Sequence, residues 1–173
     1  WSESCDGRLR CRPVDGRALR HDLLRADGNV LLLFLGRLEH QPDLPTLIRA
    51  MASVVGARPG LRLALAGDGP ERGRLERQAG AHVTFLGRLS DEALRDEYRR
   101  AAAVLMPGEE DFGIVPVEAQ ACGTPVVALG RGGALETVVD GDTGVLFDAP
   151  QVDAMAAALG CAARTMFDRA RIR

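Results

Sequence analysis

The 173 residues are enough for one domain with one sizeable core. With 46% hydrophobic and 27% charged residues and a net charge of −2, the composition is that of a soluble globular protein, without the basic excess that nucleic acid or an anionic membrane surface would require. All 22 basic residues are arginine, so any motif that depends on lysine is excluded.

In chain order, residues 1–27 are polar and arginine-rich, an opening segment or interdomain remnant with one helical turn expected around Ala18–Arg25. The first firm element is the apolar run Val30-Leu31-Leu32-Leu33-Phe34-Leu35, too short for a lone helix and closed by Gly36, hence a strand buried on both faces. A helix follows from Asp43, with Pro45 tolerated in its first turn and Leu44, Leu47, Ile48, Met51, Val54 and Val55 as its apolar stripe. Leu61–Ala66 is a second strand, stopped by Gly67-Asp68-Gly69-Pro70, and a short helix runs from Glu71 to about Ala79. Val83–Leu86 is a third strand. Ser90-Asp91-Glu92 opens the next helix, which continues to Arg100. Ala103–Met106, Val126–Leu129 and Gly144–Phe147 are further strands, and helical stretches occupy Val115–Ala121, Ala134–Val139 and Val152–Ala163.

Strand and helix alternate throughout, with glycines at the strand ends. This pattern predicts an α/β, doubly wound, Rossmann-like parallel sheet of about six strands over residues 28–163, followed by a tail at 164–173. Such sheets bind ligands beyond the carboxyl ends of their strands. Arg37, Asp68, Arg88, Glu110 and Arg131 all fall at such ends and are expected to line one crevice.

The motifs differ in weight. Gly67-Asp68-Gly69-Pro70-Glu71-Arg72-Gly73 follows a strand and precedes a helix, but its glycine spacing departs from the dinucleotide fingerprint and it lies after the second strand, so a tight turn is the better reading. A nicotinamide oxidoreductase is the weakest of the functional alternatives for that reason. Cys5, Cys11, Cys122 and Cys161 form no CxxC pair, which points to idle thiols in a reducing compartment and not to zinc. His21, His40 and His82 are scattered, and no nucleophile triad is evident. Arg37 differs, because a planar guanidinium at the end of the first strand suits a diphosphate.

Glu110 and Glu118 stand eight positions apart, the first in an acidic loop and the second within a helix. Between them, Gly113 permits close backbone approach, and the helix start around Ile114–Pro116 offers free amides, a seat for phosphate. Two acids facing one pocket suit a ligand rich in hydroxyls.

These residues, with Phe112-Gly113, Gly123-Thr124-Pro125-Val126-Val127, Gly132-Gly133, Gly36-Arg37-Leu38 and Phe85-Leu86-Gly87, resemble the signature of retaining GT-B-fold glycosyltransferases of the glycogen-synthase-like and sucrose-synthase-like group. The resemblance covers about residues 28–160 and is closest in wording to bacterial mannosyltransferases of surface-polysaccharide assembly. It implies the donor-binding half of such an enzyme, transferring a hexosyl group, foremost mannosyl, from GDP-mannose or a UDP-hexose to a saccharide or lipid-linked acceptor. Catalytic roles would fall to Glu110, on the transferred sugar, and to Arg37, on the diphosphate. Gly36 would also bind the donor, the loop Gly87-Arg88-Leu89 would meet the nucleobase, mostly through backbone groups, and Asp91 would accept from guanine. Backbone amides of Phe112, Gly113, Ile114 and Val115 would bind sugar and phosphate, and Glu118 would hold the ribose. No cofactor or metal is implied. The resemblance further implies an absent N-terminal acceptor-binding half, a cytoplasmic site of action, and membrane association only through that half.

Two departures qualify it. The lysine usual about five residues after the arginine is replaced by Pro42, and loss of one such cation costs on the order of 3 kcal/mol of transition-state stabilisation. The fragment also lacks the half that would position an acceptor, so alone it is expected to be a poor transferase. A non-catalytic nucleotide-binding module, or a degenerate remnant of such an enzyme, is the alternative.

Overall fold

The computed structural model describes residues 30–39, 43–111 and 113–173, together with the backbone but not the side chain of Val30. The helical turn expected around Ala18–Arg25, together with Cys5, Cys11, His21, His40, Pro42 and Phe112, lies outside the described residues. The elements run β1 (Val30–Leu35), α1 (Asp43–Ala57), β2 (Leu61–Ala66), α2 (Arg72–Gln78), β3 (Val83–Gly87), α3 (Asp91–Arg100), β4 (Ala103–Met106), α4 (Ile114–Ala121), β5 (Val126–Leu129), α5 (Ala134–Thr137), β6 (Gly144–Phe147), α6 (Val152–Ala162) and α7 (Arg169–Ile172). The strands form one sheet in the order β3-β2-β1-β4-β5-β6, with every pairing parallel. The expected doubly wound sheet is therefore present.

The period of two along each strand sorts residues between two cores. Leu32 and Phe34 of β1, Leu61, Leu63 and Leu65 of β2, Leu105 of β4 and Val127 and Leu129 of β5 face one side, against α1, α6 and α7. Leu31, Leu33, Ala64, Ala66, Val104, Met106, Val126 and Ala128 face the other, against α3, α4 and α5. In β2 the first face is all leucine and the second carries the small Ala64 and Ala66 after Arg62, so the second side has room for Tyr98, which is only 2% exposed. Burial on both faces explains the uninterrupted apolar runs, since no face needs to be polar. Each fully buried leucine contributes about 1.5–3 kcal/mol.

Helix boundaries follow local chemistry. Ser90 is the N-cap of α3, its Oγ accepting from the Ala93 amide at 3.3 Å, while Asp91 and Glu92 sit in the first turn and Arg99 and Arg100 in the last. Gly113, at φ 62° and ψ 61°, precedes α4. α1 buries Leu44, Leu47, Ile48 and Met51 and packs on α6. The stretch 164–173, read from sequence as a tail, carries α7, whose N-cap Asp168 accepts from the Ala170 amide at 3.0 Å. Phe167 and Ile172 join the core. Among the described residues no helix is long and apolar enough to cross a membrane.

Candidate functional site

The strand order reverses direction between β1 and β4, and this is where the carboxyl-end crevice of such a sheet opens. The segments after β1 and β2 are stitched together there. Gly36 N donates to Ala66 O at 3.1 Å, Gly67 N to Gly87 O at 2.7 Å, and Leu38 N to Asp68 O at 3.1 Å. Gly67 has φ +130°, and a side chain on it would run into the Gly36 carbonyl. The Gly67–Pro70 segment is thus a supporting turn beneath Gly36–Leu38, as its spacing suggests.

Three hollows adjoin along this edge. One, of about 180 Å³, is lined by Gly36, Arg37, Asp43, Gly108, Glu109 and Glu110. The second, of about 310 Å³, shares Gly36 and Arg37 with it and adds Asp68, Arg88, Leu89 and Leu94. The third, of about 250 Å³, shares Leu94 with the second and is lined by Asp91, Arg95, Tyr98, Glu118 and Cys122. Among these three hollows, Glu110 and Glu118 line different ones. They mark opposite ends of a run of hollows, with Arg37 and Arg88 between them.

Arg37 is 77% exposed and forms an ion pair from Nε to Glu39 Oε1 at 2.8 Å. Arg88, Asp91, Glu109, Glu110, Asp111 and Glu118 are exposed, Leu89 and Val115 half-buried, and Gly113 buried at the start of α4. The amides of the first turn of α4 have no partner within their own helix, which gives that end a partial positive charge. Arg131, expected from its strand-end position to line the same crevice, is exposed and is not among the residues lining these three hollows. Asp43 lines the Arg37–Glu110 hollow, and burial pushes its carboxyl above the usual range.

The acidic loop is pinned by its backbone. The Gly133 amide donates to the Glu110 carbonyl at 2.8 Å, and Gly132 reaches this position with φ +54°. A Cβ on Gly132 would lie 2.5 Å from that same carbonyl oxygen. The glycine pair thus fixes the backbone at Glu110.

Sequence reasoning missed Tyr98 as a polar group. It is buried on the inner face of α3, and its hydroxyl donates to Glu118 Oε2 at 2.9 Å. The buried Thr124 was likewise read only as part of a pattern. Its Oγ1 donates to the Tyr98 carbonyl at 2.6 Å and accepts from Arg169 Nη2 at 2.6 Å. Cys122 is a free thiol, as expected, whereas Cys161 is disulfide-bonded, which corrects the expectation of idle thiols throughout. Among the described residues no cluster of His, Cys, Asp and Glu could hold a metal ion.

The model of the family described as glycosyl transferases group 1 matches residues 15–162. A D-inositol 3-phosphate glycosyltransferase of Rhodococcus erythropolis is 37% identical over 163 residues, covering 87% of this chain and 37% of that relative. A GDP-mannose-dependent alpha-(1-6)-phosphatidylinositol monomannoside mannosyltransferase of Mycolicibacterium smegmatis is 35% identical over 159 residues, covering 84% of this chain and 42% of that relative. Among solved structures, Anabaena HepE in complex with UDP and glucose superposes with a TM-score of 0.62 at 26% identity, covering 83% of this chain and 46% of that one. The chain spans about two fifths of the length of these curated relatives. The oxidoreductase alternative is overturned by the family match.

Proposed function

The chain belongs to the group 1 glycosyl transferases, and from that premise we propose that it is the donor-binding half of a retaining, GT-B-fold hexosyltransferase. The observation that carries the reading is Arg37, which lies between the hollow of Glu110 and the hollow of Arg88. A diphosphate there would meet one fork-shaped cation directly and have a second close by. The amides opening α4 add donors on the same side.

Laid along the hollows, a nucleotide sugar has its hexose at Glu110, its diphosphate at Arg37, and its ribose at Glu118, with Asp91 near the base. Carboxylates accept hydrogen bonds from paired hydroxyls at each end. When the glycosidic bond to the donor breaks, negative charge grows on the departing diphosphate, and Arg37 with the α4 amides stabilises it without reorganisation. We place this work on side chains and helix dipole, not on a divalent ion. The retaining course is carried over from the group whose residue pattern this chain shares. GDP-mannose is the favoured donor, supported by the wording of the loop and by the M. smegmatis relative. The acceptor would be met by a further domain, and this chain alone is expected to bind donor without transferring efficiently.

A second reading, a nucleotide-binding module without catalysis, is favoured by Pro42 in place of a cation and by the Arg37–Glu39 ion pair. Isothermal titration with GDP-mannose, UDP-glucose, GDP and UDP tests both. The sugar nucleotides are expected to bind in the micromolar range, and no binding by any of the four overturns both readings. Hexosyl transfer by a longer chain that carries an acceptor-binding half rules out the second.

A further inference from the structure

We infer that Tyr98 is the positioning residue for Glu118, committing one carboxylate oxygen to the protein so that the other is presented, already ordered, to the ribose of a bound nucleotide. This rests on the sugar-nucleotide reading above. α3 and α4 lie side by side on one face of the sheet, and the Tyr98 hydroxyl crosses between them to Glu118 Oε2 at 2.9 Å. Tyr98 is only 2% exposed, whereas Glu118 is exposed. A hydroxyl so deep must have a partner, and this carboxylate is the one it has.

The donor is fixed in direction. Burial first, and then the hydrogen bond to Glu118, push the phenol far above its ordinary range, so it keeps its proton and donates. The donor is also fixed in place. The Tyr98 carbonyl accepts from Thr124 Oγ1 at 2.6 Å, and Arg169 of α7 donates both to that hydroxyl at 2.6 Å and to the Ala101 carbonyl at 3.1 Å. The end of α3 is thereby clamped by its backbone carbonyls.

An exposed glutamate normally samples many rotamers and must be ordered when a ligand binds. Here the ordering precedes binding. Among the described residues Glu118 Oε1 has no partner, and Glu118 lines the hollow of about 250 Å³ between α3 and α4. One acceptor oxygen held at a set position suits the hydroxyls of a ribose, and its value depends on their presence.

The test is ribose preference, measured by titration of the chain with UDP and GDP and their 2′-deoxy counterparts. The tighter-binding base is then followed in Tyr98→Phe, with melting temperature recorded alongside. The wild-type chain is expected to prefer the ribonucleotide. Tyr98→Phe is expected to shrink that preference by about five- to tenfold, the worth of one ordinary hydrogen bond, since the Glu118 contact to the ribose is loosened and not removed. Binding of the deoxynucleotide should stay close to wild type. In a Glu118→Ala background, Tyr98→Phe should change nothing further. Full preference retained in Tyr98→Phe overturns the inference and leaves Glu118 on the ribose. No preference in the wild type overturns the ribose role and the inference together, and no nucleotide binding overturns the sugar-nucleotide reading beneath both. A measurement without substitution uses the fact that the chain has one tyrosine. In tyrosine labelled with ¹³C in its ring, the single signal should move more with the ribonucleotide than with its deoxy form; equal movement overturns the inference.

Discussion

At the residue scale, Arg37 is the side chain on which the diphosphate reading turns, and its present partner is Glu39. The pair is exposed on both sides, 77% and 43%, so it is worth little on its own, about 0.2–1 kcal/mol. A diphosphate must nonetheless displace that carboxylate or share the guanidinium with it. Removing the competitor should therefore help binding. Glu39→Gln is expected to tighten GDP or UDP by about two- to fivefold, an effect that shrinks at high salt because the pair is exposed. Titration at low and high ionic strength checks it, and unchanged affinity at both would show that Glu39 does not compete. The place of Arg37 beside these hollows was legible in the sequence because it follows directly on the first strand and its closing Gly36. Its Glu39 partner was not, since a pair two positions apart in a loop depends on backbone geometry that residue type does not specify.

At the element scale, what the sequence shows well is what repeats. Short apolar runs such as Leu61–Ala66, between two glycines, and Ala103–Met106, closed by Pro107, became strands with those bounds, because burial on both faces leaves no other place for them. Four-residue α7 was illegible, being too short for a period and carried by its Asp168 cap and the burial of Ile172. The Tyr98–Glu118 link was hidden for a related reason, because it spans 20 positions across two helices, and helical spacing speaks only within one. The Gly132-Gly133 pair was seen as a pattern, and the structure supplies its cause. Gly132 sits at φ +54° with the Glu110 carbonyl 2.5 Å from where a Cβ would be. Gly132→Ala is expected to cost about 1–2 kcal/mol from the left-handed backbone alone. Its larger effect should fall on the acidic loop, because the only relief is for the Glu110 carbonyl to move away. With Glu110 at the sugar as proposed, sugar-nucleotide affinity should drop more than affinity for the free nucleoside diphosphate. Urea unfolding together with paired titrations of GDP-mannose and GDP checks both parts, and equal losses for the two ligands would move Glu110 away from the hexose.

At the scale of the whole molecule, the sheet separates its ends. The binding hollows gather at the carboxyl ends of the strands, whereas His82 stands beside the start of β3, at the opposite edge. Its Nε2 is buried and has no hydrogen-bond partner among the described residues, so a proton there would be poorly solvated. Burial first, and the nearby Arg62 second, hold His82 below its ordinary value of 6.5. The unfolded chain then binds the proton more readily than the folded one, and stability must fall as pH drops below 6.5. Tyr98 acts with the opposite sign and at the other limit. Its folded value lies above the ordinary 10.0, so its contribution is complete below that pH and is lost as pH rises beyond it. These two groups thus predict a plateau of stability between pH 6.5 and 10.0 with a separate cause for each shoulder. Urea midpoints across pH should show both shoulders. His82→Phe, which keeps a ring and cannot be protonated, should weaken the acid shoulder just below 6.5 and leave the alkaline one in place. Tyr98→Phe should remove the alkaline shoulder alone. If instead His82→Phe leaves the acid shoulder unchanged, the loss there belongs to other groups, and the orphaned imidazole nitrogen is tolerated at no cost to the fold.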